Sequence, residues 1–271
     1  MKLFAVAALL TLVVTQDSGA PQPPQYHTQS TAYTSRDKDG QIFVTENSSF
    51  QFAEVYDESK DPPLQRALLE ETFRNRSSDH AEAVEGSATI RSWSLKSDGT
   101  RQLRWTITAT ANEGSVQNRF YRTSVWGCCD APDSYTYYSL ISGKRLYSSF
   151  ADLKEVTSVQ DGHSNILYVA VGSESPDNNC ARARLQFGTD RDILQTFTIV
   201  APRVCDSIPE LSLAGKDPSV NYLVLDGAAP TFSVTLDYGD GAVLQIPIRN
   251  GFIHPELATL PIGFKLQPLP H

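Results

Sequence analysis

The chain has 271 residues, with 23 Lys plus Arg against 31 Asp plus Glu, for a formal charge of −8. At 20% charged and 40% hydrophobic residues, neither bulk disorder nor a multi-span membrane protein fits. An acidic chain without a Lys/Arg run repels a phosphate-coated partner, so nucleic acid is not expected as a ligand.

The amino terminus, MKLFAVAALLTLVVTQDSGA, joins Lys2 to an apolar run from Leu3 to Val14. About a dozen apolar residues are too few to span a bilayer and suit the central region of an export signal. Ser18-Gly19-Ala20 offers small residues for cleavage, Pro21 beyond them disfavours it, and no Cys lies near to carry a lipid. Residues 1–20 are read as a signal peptide, which makes the protein periplasmic or secreted, with no membrane span once the signal is gone. Its removal takes Lys2 and Asp17, so the charge balance is unchanged. Residues 21–30, PQPPQYHTQS, read as an extended Pro/Gln-rich linker. Residues 31–271 then form a single β-rich domain, long enough to bury a core.

From Thr31 the apolar pattern alternates. Thr31–Arg36 and Gln41–Thr45 flank Asp37-Lys38-Asp39-Gly40, whose Asp-Gly favours a tight turn. Phe50–Tyr56 alternates again. The stretch from Asp61 to Phe73 departs from this, with an Asp cap, Pro62 and Pro63 in a first turn, and Leu64, Ala67 and Leu68 at helical spacing. It predicts one short amphipathic helix over Pro62–Phe73.

Ala88–Lys96 and Arg101–Thr110 flank Ser97-Asp98-Gly99-Thr100, and Ser115–Val125 follows as one strand. Tyr135–Ile141 and Lys144–Phe150 flank Ser142-Gly143. Asn165–Val171, Ala183–Phe187, Ile193–Val200, Asn221–Leu225, Thr231–Asp237 and Val243–Ile248 complete the set, the last two joined at Tyr238-Gly239-Asp240-Gly241. The fold class is all-β, mainly antiparallel sheets with one short helix, arranged as a sandwich or a partial propeller-like array. The segment Tyr138–Tyr147 resembles one blade hairpin but does not recur. The tail Gly251–His271 holds Pro255, Pro261, Pro268 and Pro270, so it lies over an edge or is loose and cannot be a central strand.

The chain carries 4 cysteines, and export would bring them to an oxidising compartment. Cys180 and Cys205 flank the two arms of one expected hairpin, which places them near each other. A bridge there closes about 25 residues, a stabilisation of roughly 3 to 4 kcal/mol in the chain-entropy view. Cys128 and Cys129 are adjacent, between Gly127 and Pro132, so an irregular loop and a vicinal pair fit them better than a regular strand. Read functionally, that pair forms a stiff contact surface with Trp126, Tyr135 and Tyr137. Read structurally, it only fixes a loop, and the rival connectivity sends Cys128 and Cys129 separately to Cys180 and Cys205. Adjacent cysteines lack zinc-ligand spacing.

No complete catalytic constellation is present. Gly162-His163-Ser164-Asn165-Ile166 lacks the final Gly of a nucleophile elbow and reads as a hairpin turn. The 5 histidines form no metal-binding motif, the Asp237–Gly241 turn lacks the carboxylates of a calcium loop, and no cofactor is implied. Tyr135, Tyr137, Tyr138 and Tyr147 sit on one hairpin, with Tyr135 and Tyr137 on one face and Tyr138 on the other. The leading reading is an exported binding protein for a protein or glycan ligand, without a catalytic centre. One alternative is a carbohydrate- or cell-wall-active hydrolase using dispersed carboxylates, and another is a thiol-disulfide protein using Cys128 and Cys129.

Overall fold

A computed structural model describes residues 29–36, 41–78, 85–126, 133–160, 163–173, 182–202, 209–215, 222–225, 232–249 and 251–270. Four antiparallel meanders follow one another along the chain. The first is a five-stranded sheet of β1 (Gln29–Arg36), β2 (Gln41–Tyr56), β3 (Leu64–Ser78), β4 (Glu85–Leu95) and β5 (Arg101–Ala109). Its first strand begins at Gln29, inside the stretch read as linker. The second sheet is β6 (Glu113–Gln117), β7 (Phe120–Val125), β8 (Ser134–Ser139) and β9 (Arg145–Ser149). Asn118 adopts a φ of 51° and divides the expected single strand Ser115–Val125 into the β6–β7 hairpin, with Gln117 opposite Phe120.

The third sheet is built on β10 (Lys154–Gln160), β11 (His163–Ser173), β12 (Arg182–Gly188) and β13 (Ile193–Val200). The fourth holds β14 (Glu210–Gly215), β16 (Phe232–Asp237), β17 (Val243–Arg249) and β18 (Phe252–Ile253). Two later segments cross back to complete the third sheet. β15 (Tyr222–Leu225) adds parallel to β10, and β19 (Lys265–Pro268) adds antiparallel to β13. The proline-rich tail therefore lies on an edge, where Pro268 opposite Phe197 leaves no interior ladder bond unmade.

The expected helix over Pro62–Phe73 is not formed. Leu64–Phe73 instead begins β3, which pairs with β2 from Tyr56–Leu64 to Ile42–Ser78 and with β4 on its other side. Leu64, Ala67 and Leu68 suit a helical stripe, yet Ala67, Leu69 and Glu71 also form a period-two row, and Leu68 and Glu70 the opposite one. Ala67, Leu68 and Leu69 are all fully buried, so both faces of the strand carry packing that a one-sided helix would forgo. Among the described residues the only helical turn is a 3-10 turn, Pro255–Leu257.

Three apolar layers stack the sheets in chain order. Val55, Ala67, Leu69, Ile90, Trp105 and Ile107 of the first sheet meet Tyr121, Tyr138 and Leu140 of the second. Phe120, Tyr137, Leu146 and Tyr147 of the second sheet meet Tyr168 and Ala170 of the third. Leu167, Val169, Leu185, Phe187 and Ile199 of the third meet Val234, Leu236, Leu244, Ile246 and Ile248 of the fourth. The result is a face-to-face stack of sheets. It also explains the unbroken apolar run Ile166–Val171: β11 is covered on both faces, so it shows no polar alternation.

Turn chemistry pins the meanders. Gly99 (φ 79°) closes β4–β5 while Asp98 accepts from the Thr100 amide at 2.8 Å. Gly143 (φ 70°) closes β8–β9 directly against Trp105, where a Cβ would come within 2.8 Å of the indole. The Trp105 Nε1–H donates to the Leu140 carbonyl at 3.0 Å and so fastens that hairpin to the first sheet. β10 and β11 pair from Gln160–His163 onward, so His163 and Ser164 begin a strand of a hairpin rather than an elbow leading into a helix.

Candidate functional site

The third sheet and the β6–β7 hairpin bound a cleft of about 390 Å³, lined by Val116, Gln117, Asn118, Phe120, Tyr137, Asp152, Leu153, Glu155 and Tyr168. A space of that size suits a small ligand. Each wall has a local cause. The left-handed Asn118 turn carries Gln117 and Asn118 to the rim. Phe120 and Tyr137 point to the third sheet because Tyr121 and Tyr138, their chain neighbours, point to the first. Glu155 and Tyr168 are directly opposite each other in the β10–β11 ladder and so share one face. Asp152 and Leu153 come from the short passage between β9 and β10.

The floor is aromatic. Phe120 meets Tyr168 edge-on with centroids 4.6 Å apart, Tyr147 at 5.7 Å and Tyr137 at 5.9 Å, all favourable quadrupole geometries. Tyr147 is anchored away from the cleft, its hydroxyl donating to the Thr189 carbonyl at 2.8 Å. The Tyr137 hydroxyl lies 3.5 Å from Asp152. Tyr168 is 2% exposed, and its hydroxyl has no hydrogen-bond partner among the described residues. Glu155 likewise has no ion-pair or hydrogen-bond partner among the described residues.

Burial, then the Asp152 charge, pushes the Tyr137 phenol up to about 12, with Arg122 opposing. Burial raises Tyr168 as well, Glu155 adding to it and Arg119 offsetting it. Both phenols are neutral donors at physiological pH. The neighbouring cations are committed elsewhere. Arg122 binds Asp152 at 2.9 Å, stacks 4.6 Å over the Tyr135 ring and, with the Gln117 carbonyl oxygen turned toward it, receives that oxygen at 2.8 Å. Arg119 binds Asp190 at 3.2 Å and stacks 4.5 Å over Tyr56.

Outside the cleft, the buried carboxylate Glu71 is fully engaged. It accepts from Ser49 at 2.8 Å, Gln51 at 2.8 Å and the Tyr121 hydroxyl at 2.5 Å. That network sits in the layer between the first two sheets and ties β2 and β3 of the first to β7 of the second. Among the described residues no group of three His, Cys, Asp or Glu could hold a metal ion, and no helix is long and apolar enough to cross a membrane.

The residues singled out in the sequence separate here. Tyr135 and Tyr137 lie on the same side of β8, toward the third sheet, as their spacing requires, and Tyr137 lines the cleft. Trp126 sits beyond the end of β7, 41% exposed, its backbone N–H bonded to Asn112 at 2.9 Å; it does not line the cleft. Cys128, Cys129, Cys180 and Cys205 lie outside the described residues. Phe120, Asp152, Glu155 and Tyr168 were missed by sequence reasoning. The unrecognised Asn118 turn hid the alternation of Phe120, and the unrecognised β10 hid the register that sets Glu155 beside Tyr168. Comparison of the chain with protein-family models, curated proteins and solved structures returned no match.

Proposed function

We propose that this is an exported binding protein, periplasmic or secreted, that holds a small polar ligand in the cleft between its second and third sheets. The ligand is a glycan or a polar group displayed by a protein partner. The observation that carries this reading is Tyr168, a largely buried, neutral phenol on the wall of an aromatic cleft whose hydroxyl has no hydrogen-bond partner among the described residues. A ligand acceptor in the cleft would give that hydroxyl the hydrogen bond it lacks. The test is saturation-transfer NMR on the mature chain against mono- and disaccharides and small amines, repeated on Val116→Trp, which fills the cleft. Transfer that Val116→Trp abolishes supports the reading; no transfer, or transfer that the variant leaves intact, ends it.

A second reading is glycoside hydrolysis, favoured by two carboxylates, Asp152 and Glu155, on one cleft. Against it, the Asp152 side chain is 73% exposed and tied to Arg122, whereas a general acid needs desolvation. Glycosidase turnover lost in Glu155→Gln would reverse that preference. The Cys180–Cys205 staple remains part of the proposal, supported by the Arg182–Val200 pair that sets the two hairpin arms side by side. So does the vicinal Cys128-Cys129 pair as an exposed, reducible contact loop; a thiol-disulfide activity of that pair would show as insulin reduction lost on replacing both by Ser.

A further inference from the structure

We infer that the cleft selects a small ligand bearing an ammonium group. This deepens the reading of the cleft as a binding site and rests on it. Three features of the lining combine. Two carboxylates, Asp152 and Glu155, face the same space, and Glu155 has no partner in the protein among the described residues. Aromatic rings, Phe120, Tyr137 and Tyr168, line the same walls, and an ammonium is attracted both to ring faces and to carboxylate. The guanidiniums that could neutralise Glu155 are engaged: Arg122 with Asp152, Gln117 and Tyr135, and Arg119 with Asp190 and Tyr56. Lys154 is adjacent in sequence but points to the opposite face of β10.

The acidic pair would not suffice alone. The independent sign of a ligand is Tyr168, 2% exposed, lining the cleft directly across the ladder from Glu155, its hydroxyl without a hydrogen-bond partner among the described residues. An ammonium salt-bridged to Glu155 and carrying a hydroxyl or ether acceptor for Tyr168 satisfies both groups at once. The Gln117 and Asn118 amides at the rim suit further hydroxyls on the same ligand. An anion is disfavoured in the same space by Glu155, which has no ion-pair partner among the described residues, and by an overall charge of −8.

The experiment is isothermal titration of the mature chain with two matched pairs: glucosamine against glucose, and choline against its neutral isostere 3,3-dimethylbutan-1-ol. The expected result is at least ~10-fold tighter binding of one ammonium member than of its neutral counterpart, a preference that shrinks at high salt. Glu155→Gln should erase the preference, and Tyr168→Phe should weaken the hydroxylated ammonium while leaving its salt dependence. Circular dichroism and melting of both variants establish that they fold. Equal affinity within each pair, lost in Val116→Trp, overturns the ammonium inference and leaves the binding cleft standing. No saturable heat from any of the four overturns both.

Discussion

The two faces of β11 meet different solutions to the same packing problem. Leu167, Val169 and Val171 enter a mainly aliphatic layer with Leu185, Ile199, Val234, Leu236, Leu244 and Ile246, in which Phe187, Phe197 and Tyr238 are also buried. Ile166, Tyr168 and Ala170 enter a layer of Phe120, Tyr137 and Tyr147. Branched aliphatic chains interdigitate and close every gap. Rings meeting edge to face fill space less completely, and the cleft lies in the layer richest in them. A β-sheet covered on both faces can thus give one face to stability and the other to recognition.

The sharpest break of this contrast is a cavity in the aliphatic layer. Leu185→Ala, at a fully buried position, should cost about 2 to 5 kcal/mol in denaturant unfolding without altering ligand binding. Next is the layer between the first two sheets. Tyr121→Phe removes the shortest of the donors to buried Glu71 and should cost about 1 to 3 kcal/mol by the same measurement. In the tyrosine layer, Tyr147→Phe leaves the Thr189 carbonyl without its donor and should cost about 1 kcal/mol.

Alkaline pH should distinguish the layers without mutation. Tyr137 titrates near 12 in the folded chain, above the ordinary phenol value of about 10, so the unfolded chain ionises first. Its contribution is therefore complete below about pH 10 and is lost as pH rises toward about 12. Tyr147 and Tyr168 are shifted in the same direction, chiefly by burial. Unfolding free energies measured across that window should fall, and Tyr137→Phe should flatten the fall. A slope unchanged in Tyr137→Phe would remove this residue from the account. The smallest change in stability belongs to Tyr168→Phe, within about 0.5 kcal/mol at neutral pH because no protein bond is lost. A larger loss would mean that its hydroxyl serves the fold rather than a ligand.

Much of the fold follows from local pattern. Alternation at Arg101–Ala109 and Val243–Arg249, and glycines at 99, 143, 239 and 241 with positive φ, mark strands and turns wherever one chain segment decides its own state. Tyr137 and Tyr138 divide between two layers because successive strand residues must. Leu64–Phe73 is different. Its spacing serves helix and strand equally, and only the partners on both sides, β2 and β4, select the strand. Likewise nothing in Tyr222–Leu225 or Lys265–Pro268 states that they leave the fourth sheet's neighbourhood to complete the third, since an edge accepts any strand of suitable length. The site shows the same division. Sequence alone could place Tyr135 and Tyr137 on one face, but the meeting of Tyr168 and Glu155 with Asp152 and Phe120 joins four separate segments. Such a meeting is a matter of register and sheet stacking, which no local period encodes.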